Sequence, residues 1–208
     1  MTIINRINNL SNEFFNFTYN YGNTIIRIVP ILIKNIIKKK KNIQMITQGS
    51  DIKSTKLLFS KPNYIIDNIY IGSSFNAANL DLLNNYRITD IINLTENTEN
   101  FYNNEFNYFN YTFINEDITI EDINNILDSI KNTMDNVLIH CLYGTNYSVF
   151  IIVCYLLRYK NMEVDNSLNL ISNKRNYINF SKKLYDKLQE YYLFIKNNIL
   201  YENTDFIV

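Results

Sequence analysis

The chain has 208 residues, which is enough for one domain with a substantial core and hardly enough for two. Hydrophobic residues make up 47% of the sequence, as is typical of a globular protein. The 20 lysines and arginines balance the 20 aspartates and glutamates, so no overall charge attracts nucleic acid, and we expect no nucleic-acid partner.

The sequence contains two cysteines, Cys141 and Cys154. Two cysteines do not make a disulfide framework, and we expect no secretory signal peptide, so the sequence predicts an intracellular protein, cytoplasmic or nuclear, whose thiols stay reduced. Cys154 lies in an apolar run and is expected to be a small buried core residue.

Residues 1–55 are interpreted as an N-terminal extension. Within them, residues 25–41 are apolar at first, are interrupted by Arg27, Pro30 and Lys34, and end in four consecutive lysines. A membrane span needs about 20 nearly uncharged residues, so a basic amphipathic helix is the better interpretation. The simplest role for it is an extra helix packed on the domain; the alternatives are a membrane-surface contact, a nuclear import signal and a dimer arm. The oligomeric state stays open.

Residues 48–51, Gln-Gly-Ser-Asp, indicate a linker, and the domain is expected to begin near residue 60. The pattern of residues 64–72 predicts two short strands joined by a turn. Residues 76–86 then predict a helix, and the apolar run at 88–94 suits a strand covered on both faces.

Farther along, residues 108–114 have a strand pattern, and residues 120–134 have the apolar face of an amphipathic helix. After a second apolar segment, described next, residues 164–177 and 181–197 predict two final helices. Residues 198–208 are expected to form a loose tail.

The segment from 136 to 160 organises the rest of the chain. An apolar strand at Val137–Ile139 is followed by a break at Gly144 and by an apolar helix from Val149 onward. In a strand, tight loop and helix, the amides of the loop and of the first helical turn converge into a seat for a phosphate-like anion. Cys141 lies at the mouth of this seat, where a thiol loses its proton more easily.

The nine residues of this loop are His140, Cys141, Leu142, Tyr143, Gly144, Thr145, Asn146, Tyr147 and Ser148. They resemble the signature loop of the cysteine-dependent protein phosphatases, in which His-Cys is followed by five residues, Arg, and Ser or Thr. The dual-specificity branch is the closest, and the resemblance covers residues 60–197. It implies an α/β fold with a central, mostly parallel sheet flanked by helices, and it implies no metal and no cofactor.

The resemblance also implies the roles of individual residues. Cys141 would attack phosphorus, the loop residues 142–147 would hold the phosphate, His140 would keep the loop in shape, and Ser148 would help the thiolate to leave. The substrate would be a protein or peptide phosphorylated on Tyr, Ser or Thr. Asp117, in the loop after a strand, would be the general acid, which typically contributes about 10²–10⁴ in rate.

Two of these roles have alternatives. Asn93 matches a family residue that supports the signature loop, but asparagine is also common in turns at strand ends. Asp117 could be only a charge or cap at a helix start, and Glu116, Glu121 and Asp122 are rivals for the acid. We rank Asp117 first because of its place after the strand, although 141 − 117 = 24 residues separate it from Cys141, fewer than expected for the family.

One position departs from the family pattern, because Tyr147 stands where the pattern has arginine. Arginine grips two phosphate oxygens with a charged, planar fork, and a phenol offers one neutral donor. Arg158 and Arg175 are the candidates for replacing it, but the first lies along the helix and the second has a structural role in the family. Three hypotheses follow: an active enzyme, a catalytically impaired pseudophosphatase that binds phosphopeptides or proteins, and a scaffold. Because of Tyr147, we expect the impaired protein, with very low turnover.

Overall fold

The computed structural model describes residue 57 and residues 60–96, 98–113 and 116–204. The N-terminal extension with its basic segment, and the linker at 48–51, lie outside the described residues. Among the described helices, none is both long enough and apolar enough to cross a membrane.

The strands are β1 (Asn63–Ile66), β2 (Ile69–Ser73), β3 (Ile88–Asn93), β4 (Asn107–Asn110) and β5 (Asn136–Cys141). The helices are α1 (Ser74–Ala77), α2 (Leu80–Asn85), α3 (Ile120–Lys131), α4 (Tyr147–Lys160), α5 (Val164–Lys174) and α6 (Lys182–Thr204). The order of elements follows the sequence-based prediction, while several boundaries differ.

The five strands form one sheet in the order β1-β2-β5-β3-β4. Only the β1–β2 pair is antiparallel, and the other three pairs are parallel, so the predicted α/β fold with a mostly parallel sheet is confirmed. In the register, Cys141 pairs with Ser73 of β2, and His140 pairs with Asn93 of β3. Since carboxyl ends of parallel strands meet at one edge, these polar residues lie together there.

The helix predicted over 76–86 is in fact two short helices. Asn76 completes a capping box with Ser73 at the start of α1, and the Asn79 side chain accepts the backbone N–H of Leu82 at 3.0 Å at the start of α2. Asparagine competes for backbone groups in this way and favours helix ends over helix interiors.

Two other boundaries matter for the site and the tail. Helix α4 begins at Tyr147 and not at Val149, so Tyr147 is its first residue. Helix α6 continues to Thr204 where a loose tail from 198 was expected, because residues 182–204 contain no glycine or proline to end it.

The core surrounds α4, whose residues from Ser148 to Leu157 are all buried. This helix packs against β2 and β5 on one side and against α3, α5 and α6 on the others. A helix that is apolar all round must be buried in this way, and each fully buried large apolar side chain contributes about 1.5–3 kcal/mol. The amino terminus of α4 is therefore fixed against the end of β5.

Candidate active site

The loop that joins β5 to α4 has outward-facing carbonyl groups. The carbonyl of Leu142 accepts hydrogen bonds from the backbone N–H and from the hydroxyl of Ser74, both at 3.2 Å. The carbonyl of Thr145 accepts the backbone N–H of Asn179 at 2.8 Å. In a trans peptide the carbonyl and the following N–H point in opposite directions, so the amides after these carbonyls face the interior of the loop.

Arg175 supports the same loop from beneath. Its side chain is buried, and its Nη2 donates to the carbonyl oxygen of Tyr143 at 2.8 Å and to that of Leu57 at 3.3 Å, while Nη1 donates to Asn63 Oδ1 at 2.8 Å. Burial lowers the pKa of Arg175 to about 10, and the nearby Cys141 acts in the opposite direction. The guanidinium therefore stays charged and holds the carbonyl side of the loop, as the structural role predicted for it requires.

The other arginine considered as a replacement is also engaged elsewhere. Arg158 Nη1 donates to Asn124 Oδ1 at 3.0 Å and lies 3.4 Å from Asp128 Oδ1. Both contacts attach it to α3. Neither Arg158 nor Arg175 therefore takes the position that Tyr147 occupies.

Gly144 lets the loop turn tightly. Its φ is +70°, and a Cβ atom there would lie 2.4 Å from the carbonyl oxygen of Gly72 and 2.7 Å from Arg175 Nη2. Both distances are shorter than real Cβ contacts allow, so the loop can lie against β2 only with glycine at this position.

Cys141 lies where the inward-facing amides converge. Its thiol is buried, with Sγ 3.3 Å from Ser148 Oγ. Burial alone would raise the pKa of Cys141, but hydrogen bonds from the Ser148 hydroxyl and from the amides of Ser148, Asn146 and Thr145 outweigh it, so the pKa lies below the ordinary value of a thiol. The site thus favours a thiolate, the nucleophilic form of cysteine.

His140 is almost completely buried between the neighbouring strands. Burial lowers its pKa to about 4, against a smaller opposing effect of a hydrogen bond with the Cys141 backbone. Its carbonyl accepts the backbone N–H of Leu94 at 2.9 Å, while Nδ1 has no hydrogen-bond partner among the described residues. His140 is therefore neutral at physiological pH and lies directly behind the cysteine.

Tyr147 stands at the start of α4, with its ring 5.4 Å from that of Phe113. Partial burial raises its pKa, and so do the negative charges of Glu116, Cys141 and Glu96, against a hydrogen bond with the Glu116 backbone. The phenol is consequently neutral at physiological pH, and two carboxylates are among its electrostatic neighbours.

The acidic residues before α3 differ in their surroundings. Asp117 is exposed. Glu116 is half-buried, and its Oε2 accepts the hydroxyl of Ser181 at 2.6 Å. Asp122 forms a capping box with Thr119 at the start of α3, accepting the Thr119 amide at 2.9 Å and its hydroxyl at 2.6 Å. Asp122 is therefore engaged as a helix cap, and the acid role of Asp117 stays a prediction.

Asn93 hydrogen-bonds within the turn that follows β3. Its Nδ2 donates to the carbonyl of Thr98 at 3.0 Å and to Asn100 Oδ1 at 3.1 Å, and its Oδ1 accepts the amide of Thr95 at 3.0 Å and the Thr95 hydroxyl at 2.6 Å. These bonds match the second role considered for Asn93, a turn residue at a strand end. The first role, support of the signature loop, stays a prediction.

The remaining loop side chains differ in exposure. Thr145 is buried, Tyr143 is half-buried, and Leu142 is 39% exposed. Asn146 is half-buried, and its Oδ1 lacks a partner among the described residues. The part of the loop that a bound molecule would meet first therefore includes Leu142.

Comparisons with known proteins agree with this arrangement. A family model described as dual specificity phosphatase, catalytic domain, matches residues 69–193. The human protein phosphatase Slingshot homolog 1 is 25% identical over 168 residues, which are 76% of this chain and 16% of that protein. Dual specificity protein phosphatase 1-A of Xenopus laevis is 30% identical over 129 residues, which are 58% of this chain and 34% of that protein. The chain thus matches well under half the length of either relative.

A solved structure shares the fold. The crystal structure of a leucine rich repeat and phosphatase domain containing protein from Entamoeba histolytica is similar with a TM-score of 0.60 at 20% identity. The similarity covers 69% of this chain and 96% of that one.

The first prediction concerns His140, the only histidine of the chain. Its pKa is about 4 in the folded protein against 6.5 as an ordinary histidine, so the unfolded chain takes up a proton first as the pH falls. Its contribution to the free energy of unfolding is complete above pH 6.5 and falls by about 3 kcal/mol by pH 4. The single imidazole resonance should show no titration near pH 6.5 in NMR, and His140→Asn should flatten the stability profile. Titration near pH 6.5 would contradict the burial.

The second prediction concerns the thiol. Ser148→Ala removes a hydrogen-bond donor to Cys141 and should raise the pKa of the Cys141 thiol, because the Ser148 hydroxyl is one of the groups that lower it. The ultraviolet absorbance of the thiolate against pH measures this change, with Cys141→Ser as the blank. Burial raises the pKa of Cys154 well above that of an ordinary thiol, so Cys154 does not interfere. An unchanged pKa would contradict the role of the hydroxyl.

The third prediction concerns the tight turn. Gly144→Ala should lower the free energy of unfolding by about 3 kcal/mol, since it combines backbone strain with overlap against β2. Urea unfolding measures the loss. Leu142→Ala, in the same loop but exposed, should change stability by less than about 0.5 kcal/mol. Equal effects of the two substitutions would show that the turn tolerates a side chain at 144.

Proposed function

Because the chain belongs to the dual-specificity phosphatase family, we propose that it is a phosphatase-like protein that binds phosphorylated proteins or peptides and turns them over poorly. The single observation that carries this proposal is Tyr147, a neutral phenol at the first residue of α4, beside a thiol and an amide cradle suited to a phosphate.

The reaction would proceed through Cys141. Its thiolate attacks phosphorus, so that an S–P bond forms while the bond from phosphorus to the leaving oxygen breaks. Asp117 gives a proton to that oxygen. Water then attacks the phosphocysteine, phosphate leaves, and the electron pair of the S–P bond returns to sulfur, which Ser148 stabilises with its hydroxyl.

Tyr147 makes each of these steps slow. A family arginine would add a permanent positive charge and two parallel donors for the phosphoryl oxygens, whose charge grows in the transition state. Losing one well-placed donor costs about 10²–10³ in rate, and losing a guanidinium in phosphoryl transfer costs about 10³–10⁵. The carboxylates of Glu96 and Glu116 near Tyr147 increase the penalty, because they repel a phosphate dianion.

Binding should survive better than turnover. The amide donors that lower the pKa of Cys141 do not depend on the side chain at 147, and amides at a helix start attract anions of any origin. The affinity for a phosphopeptide is expected to be low because the fork is absent. A thiol of this kind must stay reduced, so the proposal includes an intracellular location, cytoplasmic or nuclear.

The proposed domain spans residues 60–197, with residues 1–55 as an added segment. A contact of residues 25–41 with a membrane surface stays a prediction. The second candidate function is a non-catalytic scaffold, and the observation that favours it is Leu142, whose side chain is 39% exposed on the signature loop. An apolar side chain at that point suits contact with another protein.

Tyr147→Arg tests the proposal. It should raise kcat/KM for para-nitrophenyl phosphate by about 10³ or more over the wild type, since it restores the charged fork. Steady-state kinetics with the purified protein measure the change.

Two control variants accompany this measurement. Tyr147→Phe keeps the ring against Phe113 without a hydroxyl and should be as slow as the wild type, while Cys141→Ser should abolish whatever turnover remains. Robust Cys141-dependent hydrolysis by the wild type, unimproved in Tyr147→Arg, would overturn the claim of impairment.

A further inference from the structure

The segment before α3 is attached to the start of α6 by a contact between residues 65 positions apart. Glu116 Oε2 accepts the hydroxyl of Ser181 at 2.6 Å. The same hydroxyl accepts the backbone N–H of Leu184 at 3.1 Å and so also caps the first turn of α6. The Glu116 side chain is therefore held by a rigid element of the fold.

Tyr147 of the signature loop lies close to the same segment. Its ring packs on Phe113, at 5.4 Å between centroids. The Glu116 side chain and backbone both lie near enough to influence the pKa of the phenol, the carboxylate raising it and the backbone lowering it. Tyr147 thus packs against the chain shortly before the segment that carries the predicted acid.

Glu116 adopts a backbone conformation that glutamate normally avoids. Its φ is +60°, in the left-handed region. A strained conformation of this kind persists only where the surroundings determine it, and it concentrates at functional sites. The hydrogen bond with Ser181 is a constraint that the structure provides.

A further hydrogen bond connects this contact with the signature loop. The backbone N–H of Asn179, two residues before Ser181, donates to the carbonyl of Thr145 in the signature loop at 2.8 Å. The loop that would bind the anion and the loop that carries the predicted acid are therefore both attached to residues 179–181.

We propose that Glu116 is a positioning residue that anchors the acid loop, residues 116–119, beside the signature loop without any ligand, through its hydrogen bond with Ser181. The inference deepens the proposed function, on which it rests only for the role of the neighbouring Asp117. It also assigns one rival carboxylate, because Glu116 accepts the Ser181 hydroxyl and serves as an anchor, whereas the neighbouring Asp117 is exposed.

The test is amide hydrogen exchange of residues 117–119 in the full chain without ligand. Glu116→Gly removes the side-chain anchor at a position where glycine is unstrained, and should speed exchange about tenfold, the factor for losing one hydrogen bond of ordinary strength. The thermal midpoint should not fall, because glycine relieves the left-handed strain. Glu116→Gln keeps an oxygen that accepts the Ser181 hydroxyl and should exchange as the wild type does.

Two more variants test the same hydrogen bond from the side of its donor. Ser181→Thr should behave as the wild type, and Ser181→Ala should speed exchange. Unchanged exchange in Glu116→Gly, or equal acceleration in Glu116→Gln, would overturn the anchor.

Tungstate, as a phosphate-like probe, gives a second readout. In the wild type, tungstate should change the exchange rate at 117–119 by less than about twofold, since the acid loop is already ordered before the anion binds. In Glu116→Gly, tungstate should slow exchange toward the wild-type rate. A wild-type loop that slows about tenfold or more with tungstate would overturn the inference. Failure of the proposed function alone would give another result. The signature loop would not bind tungstate, but Glu116→Gly would still exchange faster than the wild type without ligand.

Discussion

The orientation of three peptide units in the loop after β5 is the constraint on which the site depends. Their carbonyl groups are taken by Ser74, Arg175 and Asn179, which belong to three different parts of the fold. Because each carbonyl is held outward, the amide that follows it must face inward. The amide of Asn146, which follows the Thr145 carbonyl, is one of the three that stabilise a negative charge at Cys141, together with the amides of Thr145 and Ser148. The anion seat is thus produced by the scaffold rather than by the side chains that line it.

This separation of shape from charge is what the proposed impairment depends on. The cradle is made of backbone groups, which depend on the tight turn at Gly144 and on the buried helix behind it. The charge that would grip a phosphate depends on one side chain, and Tyr147 supplies none. On the proposed function, tyrosine at that position leaves the fold, the lowered thiol pKa and the anion seat in place, and it lacks the strongest electrostatic interaction with the reacting group.

Much of the fold could be predicted because local patterns carry it. The apolar runs gave the strand order along the chain, and the spacing around Cys141 identified the strand, loop and helix that hold it. The boundaries of the helices were harder to predict from the sequence. The break between α1 and α2 depends on hydrogen bonds of the Asn76 and Asn79 side chains, and α6 extends to Thr204 because no glycine or proline ends it earlier. Asparagine is so common in this chain that its capping positions carry little signal.

The contacts that assemble the site were inaccessible from sequence for a different reason. Arg175 donates hydrogen bonds to residues that lie 32, 112 and 118 positions away in the sequence, and Glu116 accepts one from Ser181, 65 positions away. Contacts between residues so far apart produce no repeating pattern in the sequence. The left-handed backbone conformation of Glu116 is not indicated by the sequence either, since glutamate normally avoids that conformation. The partners of Asn93 within its turn were equally inaccessible, because a turn residue and a loop support have the same sequence context.

The most direct test of the account is a titration of the ¹⁵N-labelled protein with tungstate, followed through the amide resonances of residues 143–148. The account predicts that these amides shift together, with an affinity about 10²-fold weaker than in Tyr147→Arg, the difference that a charged, bidentate donor makes. Amides that do not respond at saturating tungstate in either protein would show that the loop does not form an anion seat. Equal affinity in the two proteins would show that Tyr147 is not what weakens the site.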